Sequence, residues 1–159
     1  MRAAITFGLL LGLGISPAAR AELPRKISTC FEEYLAPLAL GQLEEAASLC
    51  DQIIKEKSAS PATRGAALAQ RGLIYARQWR ITERLPQAVE AIADITEGLR
   101  LHAPDKDRKL LLLIVRAQLY VTVGQTRRAA DDYLAVLAEN PDDAVAKAGL
   151  ARLGPPENY

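Results

Sequence analysis

The chain has 159 residues, 50% of them hydrophobic, and carries 20 Lys and Arg against 19 Asp and Glu, a formal net charge of +1. This near-neutral balance, with both signs interspersed, gives no electrostatic signature of a nucleic-acid-binding protein. The length suits one domain with its own hydrophobic core.

Residues 1–21 have the layout of a secretory signal peptide. A positive start at Arg2 precedes an uncharged apolar stretch from Ala3 to Ile15, and Ala19 and Ala21 supply small residues before a cleavage site. A membrane anchor is the alternative, but this stretch is shorter than the roughly 20 residues that a span needs. We expect cleavage before Glu22 and an exported chain, periplasmic in the simplest case or secreted, with no stable membrane insertion.

Two cysteines, Cys30 and Cys50, remain after the expected cleavage. An even number in an exported protein favours a disulfide, whereas the alternative is a pair of buried free thiols. Antiparallel helices would bring both to one seam, although Cys50 lies nearly one turn from the level opposite Cys30. A bridge requires Cα atoms within about 7 Å, so both outcomes stay open.

The rest of the chain has helical periodicity and few aromatic or β-branched residues. Short breaks divide it into seven predicted helices of about 11–18 residues. Ser60 is suited to a helix N-cap and Pro61 to the first helical position. The breaks fall at Gly41 and at residues 58–61, 80–86, 103–105, 124–126, 140–142 and 154–156.

Two stretches repeat the same residue types in the same order. The upstream copy contains Arg71, Gly72, Tyr75, Ala91, Asp94 and Pro104. The downstream copy contains Arg116, Ala117, Tyr120, Ala129, Asp132 and Pro141. Small residues suit the close approach of two helices, and the prolines end the second helix of each pair. A single pair cannot bury its apolar stripe alone, so the units must stack.

Segment 110–143 resembles a tetratricopeptide-repeat (TPR) unit, segment 65–105 resembles a second one, and segment 27–60 a degenerate first one. The resemblance implies an all-α superhelix of about three helical hairpins within residues 22–154. A C-terminal helix from Asp142 to Leu153 would cover the last unit, and residues 155–159 would form a short tail. The resemblance also implies a non-enzymatic scaffold that binds a protein or peptide.

Two features depart from the TPR pattern. The second unit has seven extra residues around Trp79–Pro86, because Tyr75 precedes Ala91 by 16 positions where the third unit has nine. We expect these residues to form a loop, with Trp79 either exposed to a partner or packed over its own hairpin. In the first unit Pro37 occupies the position of the later tyrosines, so its first helix is expected to be kinked or short.

The repeated charges predict two ion pairs. We expect Arg71 to pair with Asp94, and Arg116 with Asp132, because each pair stands at similar heights on facing helices. A pair between Asp94 and Arg116 across the unit boundary is the alternative geometry, and solvated charges are another.

The TPR resemblance implies that the first helix of each hairpin lines a concave binding face. Its candidate partner-binding residues are Phe31, Leu35, Leu73, Arg77, Leu111, Ile114 and Gln118. Ala66, Ala69 and Thr122 are expected to point the same way. The alternative is that residues 22–26 or a neighbouring helix cover this strip. The strip lacks the ring of Lys, Arg and Asn with which some TPR proteins hold a terminal carboxylate.

No catalytic, cofactor or metal site is predicted. His102 is the only histidine, which leaves no metal-ligand set, and no glycine-rich phosphate loop or nucleophile motif occurs. We therefore predict a protein–protein or protein–peptide scaffold of the cell envelope. The alternative is a structural subunit of a larger envelope assembly, or a helical repeat that self-associates.

Overall fold

A computed structural model describes residues 30, 39–102, 104–155 and 157. These residues form six α-helices and no strand, which confirms the all-α prediction. Most of the predicted helix over 27–40 lies outside them. The helices are α1 (Leu40–Lys55), α2 (Pro61–Thr82), α3 (Leu85–Leu101), α4 (Lys106–Thr122), α5 (Thr126–Glu139) and α6 (Ala144–Leu153). None of these helices is both long enough and apolar enough to cross a membrane.

Side-chain caps determine where three of the helices begin. The Ser60 hydroxyl accepts a hydrogen bond from the backbone N–H of Thr63 at 3.0 Å, and Pro61 opens α2, as predicted. The carboxylates of Asp105 and Asp143 accept equivalent bonds at the starts of α4 and α6. Each cap satisfies a backbone donor that would otherwise lack an intrahelical partner.

Two predicted breaks differ from the structure. Gly41 does not separate two helices but lies in the first turn of α1, where it is exposed. The break predicted over 80–86 is reduced to Glu83 and Arg84, because α2 continues to Thr82. Residues 73–85 contain neither glycine nor proline, so nothing stops α2 earlier. The prediction of a loop at Trp79 was therefore wrong, since this residue lies in the last part of α2.

The helices stack so that alternate members meet on one side. Each helix packs against the next in sequence, and α2 also contacts α4, while α4 contacts α6. Within the described ranges, α1 and α3, or α3 and α5, do not make comparable contacts. The even-numbered helices are therefore the set whose successive members contact one another. We call the surface of α2, α4 and α6 on this side the concave face, after the face that the TPR resemblance implies.

The hydrophobic core consists of three successive clusters. The first joins α1 to α2 around Leu43 and Ile74, the second joins α2, α3 and α4 around Ile95, and the third joins α4, α5 and α6 around Tyr133. Gly72 allows α2 to approach α3 closely, because a Cβ there would lie 2.7 Å from Cγ1 of Ile95. Each cluster is shared by neighbouring hairpins, so the hairpins depend on stacking for their cores.

Candidate binding surface

Arginine–aspartate pairs fix the two complete hairpins that carry the concave face. Arg71 donates from Nε and Nη2 to Asp94 at 2.7 and 2.8 Å, and Arg116 donates to Asp132 at 2.8 and 2.7 Å. Both predicted pairs are confirmed. Across the unit boundary, Arg116 donates a hydrogen bond to the Thr96 hydroxyl at 3.1 Å, and not to Asp94 as in the alternative geometry.

Each of these guanidinium groups also lies over a tyrosine ring of its own helix. The distance from Cζ to the ring centroid is 5.5 Å for Arg71 over Tyr75 and 5.8 Å for Arg116 over Tyr120. Hydrogen bonding to the facing aspartate raises the pKa of both arginines above its ordinary value. The pairs therefore stay charged and hold the first and second helix of each hairpin in register.

Arg71 has a second partner that the sequence reading missed. Its Nη1 donates to Asp51 on α1, so one guanidinium links three helices. Asp51 lies in the segment that resembles a degenerate first unit. No matching acidic residue in the later units pointed to it. A disulfide also joins Cys30 to Cys50 of α1, and the Cα atoms of these two buried residues are 4.7 Å apart.

The candidate binding residues on α2 and α4 divide into exposed and half-buried members. Arg77 is exposed and the Leu111 side chain is 43% exposed. Leu73 and Ile114 are half-buried, because Leu73 packs against the second core cluster and Ile114 against the third. Phe31 and Leu35 lie outside the described residues.

Leu73 and Ile114 therefore contribute to the core as well as to the surface, which corrects the expectation that they point away from it. Ala69 departs further from that expectation, because it is buried where Gly98 of α3 meets α2. Gly98 allows α3 to pack closely against α2. This packing turns the side of α2 that carries Ala69 towards the inside of the hairpin.

Polar contacts join α2 to α4 across the concave face. Arg80 donates from Nη2 to the Gln118 side-chain oxygen at 3.1 Å, and Arg108 donates to that of Gln70. Gln118 is half-buried, so it is partly accessible at the surface while it also connects two hairpins through this hydrogen bond. The sequence reading identified Gln118 but neither arginine.

A pocket opens at the end of the concave face where α2, α4 and α6 converge. It has a volume of about 350 Å³ and is lined by Trp79, Gln118, Val121, Tyr133, Gly149, Arg152 and Leu153. We call it the Trp79 pocket. Trp79 reaches it because α2 runs on to Thr82, whereas α4 ends at Thr122, two residues after Tyr120. The extra residues of the second unit thus lengthen a helix and bring an aromatic side chain to this site.

The floor of the Trp79 pocket depends on Gly149. A Cβ at this position would overlap the ring of Tyr133, so glycine lets α6 settle directly onto that ring. Burial raises the pKa of Tyr133, and the positive charge of the nearby Arg152 opposes that rise in part. The pocket therefore combines aromatic and aliphatic walls with a cationic rim.

The described residues contain no group of three or more His, Cys, Asp or Glu side chains that could hold a metal ion. No family model matches the chain, and no curated protein or solved structure is significantly similar to it.

Proposed function

We propose that the chain is a scaffold of the cell envelope that binds a protein or peptide on its concave face. The observation that carries this proposal is the combination of the exposed Leu111 and Arg77 with the Trp79 pocket on one side of the helical stack. Ligand sites typically combine apolar walls with a few polar groups in a concavity. The TPR resemblance favours the same face.

Two further features support the proposal. The Cys30–Cys50 disulfide fits an oxidising compartment such as the periplasm, where disulfides persist. The paired arginines and the three core clusters stiffen the stack, and a preformed surface loses less entropy on binding than a flexible one.

The test is retention of an envelope protein by the immobilised chain, compared between matched variants. The double variant Leu111→Glu with Arg77→Glu changes two exposed positions and should keep its far-UV circular dichroism. We expect it to lose the retained partner. The control, Lys57→Glu, reverses an exposed charge in the turn before α2, at the far end of that helix from Trp79, and should retain the partner. Equal retention by all three chains would rule out the concave face.

A second candidate function, self-association, is favoured by the turn between α2 and α3. Among the residues that the structure describes, the three most exposed large apolar side chains are at this end: Ile81 at 54%, Leu85 at 55% and Val89 at 55%. Leu85 and Val89 are one turn apart on α3 and so share a face. Sedimentation velocity over a concentration series tests this candidate, and a dimer that Leu85→Ser with Val89→Ser abolishes would support it. A monomer at all concentrations excludes it.

A further inference from the structure

The Trp79 pocket has a size and lining that select one kind of partner. Ligand pockets span roughly 300–1,000 Å³, and this one lies at the small end, suited to one or two side chains of a peptide. Trp79, Val121 and Leu153 supply apolar walls, which favour a large apolar side chain. An apolar residue that leaves water for such a cleft contributes favourable transfer free energy.

The one charged residue among the seven that line the pocket is cationic. Arg152 lines it, and Arg80 lies beside it through the hydrogen bond to Gln118. Both arginines are exposed, and no carboxylate is among the seven lining residues. A guanidinium has five N–H donors, so Arg80 can bond Gln118 and still bind an incoming carboxylate.

This arrangement differs from that of three other arginines of the stack. Arg71 and Arg116 are engaged with buried aspartates, and Arg100 is paired with Glu97. The two arginines of the Trp79 pocket interact with uncharged side chains, Arg80 with Gln118 and Arg152 with Tyr133. A negatively charged partner would complement them without breaking an existing ion pair.

We propose that the Trp79 pocket binds an acidic peptide segment, with one large apolar side chain between Trp79 and Leu153 and flanking carboxylates on Arg80 and Arg152. The inference rests on the proposed function and specifies its partner as acidic. Binding should weaken as salt rises, since rim charges are screened over about 10 Å at 0.1 M.

Trp79 is the only tryptophan of the chain, so its fluorescence reports on the pocket alone. The cationic rim predicts that the ratio of iodide to caesium quenching constants is higher for Trp79 than for free N-acetyltryptophanamide, which corrects for the stronger intrinsic quenching by iodide. Arg80→Glu with Arg152→Glu should lower that ratio below the reference, whereas Lys57→Glu should leave it unchanged. A ratio in the parent chain equal to or below the reference would overturn the charge argument without reference to any partner.

The partner class is tested with a random twelve-residue peptide display library selected on the purified chain. We expect enriched peptides to be acidic, to contain Phe, Leu or Trp, and to shift the Trp79 emission; tryptophan-free sequences are used for that measurement. Affinity should fall by about tenfold or more in Arg80→Glu with Arg152→Glu, as the loss of two charge-assisted contacts implies. Lys57→Glu should bind like the parent.

Enriched peptides that are neutral or basic, or that bind the double variant equally well, overturn the inference. So does binding that appears only after residues 155–159 are removed, because the chain's own tail would then be the occupant. A dimer dissolved by the two arginine substitutions would make the pocket a contact between copies, which also overturns it. If an envelope partner depends on Leu111 and Arg77 but not on the pocket arginines, the proposed function stands and this inference fails.

Discussion

Removing Asp132 should destabilise the chain because it leaves the guanidinium of Arg116 without its carboxylate. The side chains of Arg116 and Asp132 are only 16% and 8% exposed and make two hydrogen bonds. Breaking a buried ion pair by removing one partner costs about 3–5 kcal/mol. Arg116 keeps its contacts with Thr96 and Tyr120 and some solvent, so we expect about 2–3 kcal/mol for Asp132→Ala.

Two further variants separate the free energy that the ion pair contributes from the free energy lost when Arg116 has no carboxylate partner. Arg116→Met with Asp132→Leu removes both charges and should recover most of the lost stability, because apolar replacement of a buried pair is often close to neutral. Glu97→Ala breaks the exposed pair with Arg100, which has similar geometry but is screened by solvent, and should cause no measurable change.

Urea denaturation followed by circular dichroism at 222 nm measures all of these differences as free energies of unfolding. The reasoning would be refuted if Asp132→Ala cost less than about 1 kcal/mol, the range of exposed pairs. It would also be refuted if the double variant were as unstable as Asp132→Ala alone.

The remaining predictions concern export, the disulfide and the packing around α6. N-terminal sequencing of exported protein should find Glu22 first; a membrane-bound chain that still begins at residue 1 would contradict this. Reduction of the Cys30–Cys50 bridge should cost about 3 kcal/mol in urea denaturation for a loop of this length, and thiol titration of unfolded, unreduced protein should find no free thiol. Because burial raises the pKa of Tyr133, the folded chain holds that proton more tightly than the unfolded chain. The stability that this group contributes is therefore complete below a pH of about 10 and is lost as the pH rises beyond it. Between pH values of about 8 and 11, the urea midpoint of Tyr133→Phe should therefore fall less than that of the parent chain. Gly149→Ala should lower the melting temperature, at a cost of about 1–3 kcal/mol, because the added methyl overlaps the Tyr133 ring; an unchanged melt would contradict that packing.

Side-chain contacts could be predicted from the sequence where the same residue types recur in both units and have a physical reason to interact. The Arg71–Asp94 and Arg116–Asp132 pairs could be predicted because the same charged residue types recur at equivalent positions on the facing helices of both hairpins. The partnership of Arg71 with Asp51 could not, since the equivalent partner of Arg116 across the next unit boundary is Thr96, so no acidic residue recurs at this position.

The candidate binding face was harder to predict. Whether Leu73 points to solvent depends on the rotation of α2 about its axis, which the close glycine contacts with α3 determine. Trp79 was assigned to a loop because the second unit was assumed to have helices as short as those of the third. The absence of glycine and proline from residues 73–85 was the signal that α2 continues.

The division of the core into three clusters implies that the chain can open in stages. The terminal helix α6 buries only Ala146 and Gly149, and its main contacts among the helices described are with α5 and α4. In contrast, α2 and α4 each take part in two clusters. Amide hydrogens of α6 should therefore exchange with solvent through local opening, while those of α2 and α4 wait for rarer and larger fluctuations. Because Gly149, Arg152 and Leu153 come from α6, the Trp79 pocket would lose one wall in each such opening. An occupant that bridges α4 and α6 would therefore slow hydrogen exchange in α6 before it affected any other helix.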